Sequence, residues 1–204
     1  MNFTRIIALV TKPKSPPRAA RHSVRIIGGV WRGRRIPVLD QADLRPTPDR
    51  VRETLFNWLR SAVGGARCLD LYAGSGALGL EALSRGARET VFVERSAPAV
   101  ANLRIQLERL RGADRAQVHC RDAEAFLREP VAPFDVVFLD PPFGQNVLAR
   151  IVALLAADER IAPGGLIYME SERTAGIPAM PPGWQPLRSK FAGEVGYHLA
   201  RKER

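Results

Sequence analysis

The chain has 204 residues, 46% apolar and 25% charged, which suits one globular domain with a small appendage and enough apolar material for a full core. Its only early apolar run, Ile6–Val10, is too short for a secretory core or for the roughly 20 residues of a spanning helix, so no membrane partner and a cytoplasmic location are expected. The net charge of +10 is uneven, because 11 of the 31 lysines and arginines but only three of the 21 acids fall in residues 1–50; such a basic head favours a polyanionic partner.

Residues 1–22 include Lys12-Pro13-Lys14-Ser15-Pro16-Pro17-Arg18 and read as a flexible basic leader. From Val24 the pattern changes to short strands around glycine turns, giving a small β-hairpin unit over residues 23–46. It carries Arg25, Arg32, Arg34, Arg35 and Trp31. A helix follows, with Thr47 as N-cap, Pro48 in its first turn and Asp49 favourable to its dipole. Val51, Leu55, Trp58 and Leu59 recur at helical spacing along it.

The remainder, residues 47–204, is predicted to form the main domain. Strands at 66–72, 90–93, 117–120, 134–139 and 166–169 alternate with helices at 78–84, 97–110, 123–127 and 147–157. Continuous apolar strands of this kind belong to a parallel sheet covered on both faces. Residues 187–191 and 195–199 break the alternation as an antiparallel hairpin. Cys68 and Cys120 both lie in apolar runs and read as buried thiols of a reducing compartment. No histidine stands at ligand spacing from a cysteine, so no metal is expected.

The first predicted strand of the main domain runs into Asp70-Leu71-Tyr72-Ala73-Gly74-Ser75-Gly76-Ala77-Leu78-Gly79. Glycines let the backbone turn tightly and approach a ligand. Gly74, Gly76 and Gly79 alone match GxGxxG, with Glu94 20 residues on, which leaves a dinucleotide open. Asp70, four residues before the first glycine, discriminates: a carboxylate beside a pyrophosphate is unfavourable. An acid there resembles the first motif of class I methyltransferases, where it lies near the amine of S-adenosylmethionine. That resemblance implies a cofactor site of Asp70, Tyr72, Gly74, Ser75, Gly76, Glu94, Arg95, Asp122, Ala123 and Thr47, with S-adenosylhomocysteine as product. Glu94 would accept from the ribose hydroxyls, and Asp122 with the Ala123 backbone would bind the adenine edge.

The fourth strand ends in Asp140-Pro141-Pro142-Phe143, which resembles the (Asp/Asn)-Pro-Pro-(aromatic) motif of methyltransferases acting on amino groups conjugated to a planar system. Such an amine is a poor nucleophile because its lone pair is delocalised. Asp140 and the Pro141 carbonyl can accept its two N–H bonds and aim the lone pair, two prolines stiffen the loop, and Phe143 offers a face for stacking.

Arg45-Pro46-Thr47-Pro48-Asp49-Arg50-Val51-Arg52-Glu53-Thr54-Leu55-Phe56-Asn57-Trp58-Leu59 resembles the helix that precedes the cofactor domain in bacterial 16S ribosomal RNA guanine-N2 methyltransferases of the RsmD type. Arg25–Gly29 and Trp31–Arg34 resemble that family's hairpin. The resemblance covers roughly residues 24–200. It implies a Rossmann-like seven-stranded mixed α/β sheet and a monomeric enzyme methylating the exocyclic N2 amine of a guanine within the 30S subunit or an assembly intermediate. RNA contacts are then expected from Arg25, Trp31, Arg32, Arg34, Arg35, Arg45 and Arg52, with Trp31 either a stacker or hairpin core. Arg45, Thr47, Arg52 and Phe56 would line the pocket, unless Phe56 is a core aromatic. The rival readings are a DNA adenine-N6 methyltransferase, a protein glutamine methyltransferase and a catalytically silent RNA-binding relative.

Overall fold

A computed structural model describes residues 22–38, 47–144, 147–157 and 159–203. The expected leader up to residue 21, and Arg45, lie outside these; His22 already belongs to the first strand.

Two sheets are present among the described residues. The small one pairs β1 (His22–Arg25) antiparallel with β2 (Arg35–Val38). The large one contains β3 (Arg67–Asp70), β4 (Glu89–Glu94), β5 (Ala116–Cys120), β6 (Phe134–Leu139), β7 (Ile161–Glu172), β8 (Trp184–Ala192) and β9 (Val195–Lys202), in the order β5-β4-β3-β6-β7-β9-β8. β3 to β7 run parallel, and β9 is antiparallel to both β7 and β8. The helices are α1 (Asp49–Trp58), α2 (Ala77–Ser84), α3 (Ala97–Leu110), α4 (Ala123–Leu127) and α5 (Val147–Ala157).

The strands alternate between two apolar layers, as the period of two requires. Cys68, Val136, Phe138 and Tyr168 meet α1, α2 and α3 on one face, whereas Leu69, Val137, Leu139 and Ile167 meet α4 and α5 on the other. Burial on both faces explains why β4 and β6 read as unbroken apolar runs. β7 is longer than predicted, because Gly164 and Gly165 interrupt the apolar run inside the strand. Cys120, expected buried, is exposed at the end of the edge strand β5.

Residues 26–34 are irregular backbone around a turn at 30–33, so the hairpin has fewer strand residues than its short-strand pattern suggested. Trp31 there is only 8% exposed, and its indole packs against Gly112 and lies 5.6 Å beneath the Arg115 guanidinium. It is hairpin core, not a stacker. Helix α1 begins one residue later than expected, with Pro48 in the N-cap position and no side-chain cap. The Thr47 hydroxyl is turned inward instead of capping.

Helix α2 is almost wholly buried, because the hairpin covers the face that the sheet leaves open. Its Glu81 has no exposed surface and accepts from Ile27 N at 2.7 Å, Gly28 N at 2.8 Å and Arg85 Nε at 2.7 Å. Arg52, equally buried, lies 3.9 Å from its other oxygen. Gly29 then comes so close that a Cβ would sit 1.8 Å from the Ser84 carbonyl oxygen, and its φ of +76° also favours glycine. The hairpin is thereby bolted to the helix that starts at the glycine turn.

Replacing Glu81 by Ala strips the half-buried Arg85 guanidinium and two backbone N–H groups of their acceptor and leaves the buried Arg52 without its neighbouring carboxylate. The expected loss is about 3–5 kcal/mol in urea unfolding, and Glu81→Gln should lose less, since its amide oxygen still accepts.

Candidate active site at the carboxyl edge of the sheet

In a parallel sheet the carboxyl ends of the strands share one edge, and ligands bind there. Asp70 ends β3, Glu94 ends β4, Asp122 follows β5 and Asp140 follows β6, so the fold brings the four predicted acids to one side. Glu170 near the end of β7 joins them.

The glycine turn is built by hydrogen bonds from these acids. Asp70, 3% exposed, accepts from Gly79 N at 2.9 Å and so fixes the first turn of α2. Gly76 caps α2 with φ of +79°, and a Cβ there would lie 2.5 Å from a Leu103 methyl. Glu94 accepts from Gly74 N at 2.9 Å through one oxygen and from Ser96 N at 2.7 Å through the other. Each oxygen retains a lone pair, which suits a ligand bearing two adjacent hydroxyls. Asp122 caps α4 by accepting from Ala125 N at 3.0 Å, and its exposed carboxylate adjoins the buried Ala123. Tyr72 and Ser75 are half-buried near the turn, and Arg95 is exposed.

At the other end of the site, Pro141 is buried and Phe143 is 46% exposed, one of the few large apolar side chains open to solvent. Asp140 is half-buried. Its Oδ2 lies 3.3 Å from the Thr47 hydroxyl, which lies 3.0 Å from Glu170 Oε1. Tyr168 Oη donates to the same Glu170 oxygen at 2.7 Å. Thr47 is held in turn by Arg52, whose Nε donates to its carbonyl at 3.3 Å, while Nη2 donates to Arg25 O at 2.9 Å and to Asp49 Oδ1 at 2.6 Å.

Burial raises the proton affinity of these acids. It pushes the Asp70 carboxyl up to about 7, opposed by the Gly79 bond and aided by the Glu94 charge. Asp140 rises well above the ordinary carboxylate range through burial and the Glu170 and Asp70 charges. Glu170 rises through burial, opposed by its Tyr168 and Thr47 hydrogen bonds. A cluster of buried carboxylates favours a ligand that brings positive charge and disfavours a pyrophosphate. Among the described residues no group of His, Cys, Asp and Glu is arranged to hold a metal ion, and no helix is long and apolar enough to cross a membrane.

The predicted RNA-contact residues separate into two groups. Arg25, Arg32, Arg34 and Arg35 are exposed on the hairpin, with Arg25 paired to Asp49 at 3.3 Å. Arg52 and Trp31 are buried, so neither presents a surface to RNA: Arg52 supports Thr47, and Trp31 supports the hairpin. Phe56, with 1% exposure and its ring 5.9 Å from that of Phe138, is a core aromatic. Glu170 and Tyr168 escaped the sequence reading, although an acid directly after an apolar strand, as at Asp70, Glu94 and Asp140, was a signal for Glu170.

A parallel sheet with β9 inserted antiparallel beside β7, a glycine turn after its first strand and Asp-Pro-Pro-Phe after its fourth together define a class I methyltransferase. The chain belongs to the family described as "Conserved hypothetical protein 95", whose model matches residues 24–201. It is 45% identical to the ribosomal RNA small subunit methyltransferase D of Escherichia coli over 93% of this chain and 96% of that protein. The protein of the same name from Haemophilus influenzae is 43% identical over 88% and 94%. A solved methyltransferase structure from Escherichia coli superposes with a TM-score of 0.84 at 44% identity, covering 89% of this chain and 99% of that one.

Because the folded Asp70 carboxyl titrates near 7 and an unfolded one near 4, the folded state holds a proton in that window that the unfolded chain has lost. Stability of the free protein should therefore fall as pH rises from about 4 to about 7, by up to ~1.4 kcal/mol per pH unit for that proton. Urea unfolding across the window checks this, and Asp70→Asn should flatten the slope.

Proposed function

We propose that this chain transfers a methyl group from S-adenosylmethionine to the exocyclic N2 amine of a guanine in small-subunit ribosomal RNA. The observation that carries this is Asp140, held on a double-proline loop at the end of the fourth parallel strand beside an exposed Phe143. The names of the family relatives agree in enzyme class and RNA substrate.

Bound S-adenosylmethionine supplies an electrophilic methyl: the amine lone pair forms the new N–C bond, the C–S pair returns to sulfur, and one proton is left for disposal. Asp70 takes the side of the cofactor's ammonium, Glu94 the ribose hydroxyls, and Asp122 with Ala123 the adenine edge; Tyr72, Gly74, Ser75, Gly76, Arg95 and Thr47 complete the wall. Asp140 and the Pro141 carbonyl accept the two N–H bonds of the target amine, and Phe143 stacks on the flipped base. Alignment of the lone pair with the methyl supplies most of the acceleration.

The hairpin, residues 23–46, is the RNA-contacting unit, and residues 47–204 form the methyltransferase domain. Arg25, Arg32, Arg34 and Arg35 meet phosphates through their planar forks. The partner is the 30S subunit or an assembly intermediate, met by a monomer in the cytoplasm.

Small subunits lacking the modification, incubated with labelled S-adenosylmethionine and digested to nucleosides, should yield N2-methylguanosine by mass spectrometry. Label in adenine, DNA or protein would discard the substrate assignment. Asp140→Ala should lower kcat by about 10²-fold or more while cofactor affinity stays within about twofold in calorimetry. The triple replacement of Arg32, Arg34 and Arg35 by Ala should weaken RNA binding and reduce the slope of log K against log salt by about 2, at about 0.7 per lost single-strand phosphate contact.

A further inference from the structure

We propose that Glu170 is the final acceptor of the proton released on methylation, reached from the target amine through Asp140 and the Thr47 hydroxyl. This rests on the amine-methylating reading given above and concerns the step that reading leaves open.

The inference comes from counting protons. The Thr47 hydroxyl has one, yet its oxygen is within hydrogen-bonding distance of two carboxyl oxygens, Glu170 Oε1 at 3.0 Å and Asp140 Oδ2 at 3.3 Å. If both acids were ionised, Thr47 would donate to one and turn its lone pairs on the other. Glu170 Oε1 already accepts from Tyr168 and stands nearer to Thr47, so it is the acceptor. Asp140 Oδ2 then carries a proton and donates to Thr47. The chain runs in one direction, from Asp140 through Thr47 to Glu170, with Tyr168 donating from the far side.

A neutral Asp140 keeps its other oxygen free to accept from the amine. As the N–C bond forms, the amine proton passes to Asp140 Oδ1, the Oδ2 proton passes to Thr47 Oγ1, and the Thr47 proton passes to Glu170 Oε1. Asp140 and Thr47 end neutral, as they began, and Glu170 changes from carboxylate to acid. Half-buried Asp140 then returns the proton to water once product leaves. Glu170 touches neither substrate nor cofactor and acts only through its two neighbours.

Its surroundings suit an acceptor. Burial raises its proton affinity, and the hydrogen bonds from Tyr168 and Thr47 oppose that rise by stabilising the carboxylate. The other groups facing the chain are Asp70 on β3, whose charge bears on Asp140, Tyr197 on β9, which bears on Tyr168, and Arg52 on α1, which holds the Thr47 carbonyl. Because Glu170 must be ionised to accept, the rate should fall as pH drops through a range above that of ordinary carboxylates.

Single-turnover methylation of RNA by the full chain, measured against pH, tests this. Glu170→Gln keeps the size and the Tyr168 contact, and Thr47→Val keeps the shape. Each should lower the rate by on the order of 10²-fold and erase the acid limb, Glu170→Gln with KM for RNA and cofactor within about twofold, and Thr47→Ser should restore both rate and limb. An unchanged limb in Glu170→Gln, or a loss confined to KM, overturns the proposal. If Glu170→Gln does not fold, Thr47→Val decides by the same criteria. Wild-type protein that methylates no RNA amine would instead overturn the functional reading, which separates the two failures.

Discussion

A guanidinium with no exposed surface must find acceptors inside the protein, and Arg52 does so by gathering separate parts of the chain. Its nitrogens reach the Thr47 carbonyl before α1, the Arg25 carbonyl at the end of β1 and the Asp49 carboxylate, and they approach Glu81 on α2. One buried charge thus fixes the hairpin, the start of α1 and the wall of the active site relative to one another. Removing a partner would leave a bare charge in the core, which is costlier than never having buried one. That asymmetry holds the assembly in a single arrangement.

Glu81 extends the same logic. By accepting from two hairpin N–H groups and from Arg85, it ties the basic hairpin to the helix that begins at the glycine turn. The exposed arginines of the hairpin and the glycine turn are therefore opposite ends of one short connection. Neither depends on a flexible linker among the described residues.

What the sequence disclosed follows from how local each feature is. α3, α4, α5 and β6 were legible to the residue, because caps, apolar runs and flanking loops mark them without outside help. Asp70, Glu94, Asp122 and Asp140 were legible because strand ends in a parallel sheet converge on one edge whatever the details. Arg52 and Thr47 were misread for the opposite reason. An arginine in a basic segment resembles a phosphate contact, and a threonine before proline resembles a cap, until tertiary partners redirect both. Glu81 and Glu170 take their roles from groups 53 and 123 residues away, Gly28 and Thr47, so their local neighbours Arg85 and Tyr168 disclose only part of what they do.

The distribution of charge also settles how a polyanion can use an acidic pocket. The carboxyl edge of the sheet gathers acids whose proton affinity burial and mutual repulsion raise, and phosphates brought there would add to that repulsion wherever an acid is ionised. The exposed arginines lie instead on the hairpin, on the opposite side of α2 from the sheet. The hairpin thus attracts a polyanion, and ionised acids at the sheet edge repel one. A cationic methyl donor is subject to the reverse preference. The separation of basic hairpin from acidic edge thus gives the molecule two surfaces of opposite electrostatic preference.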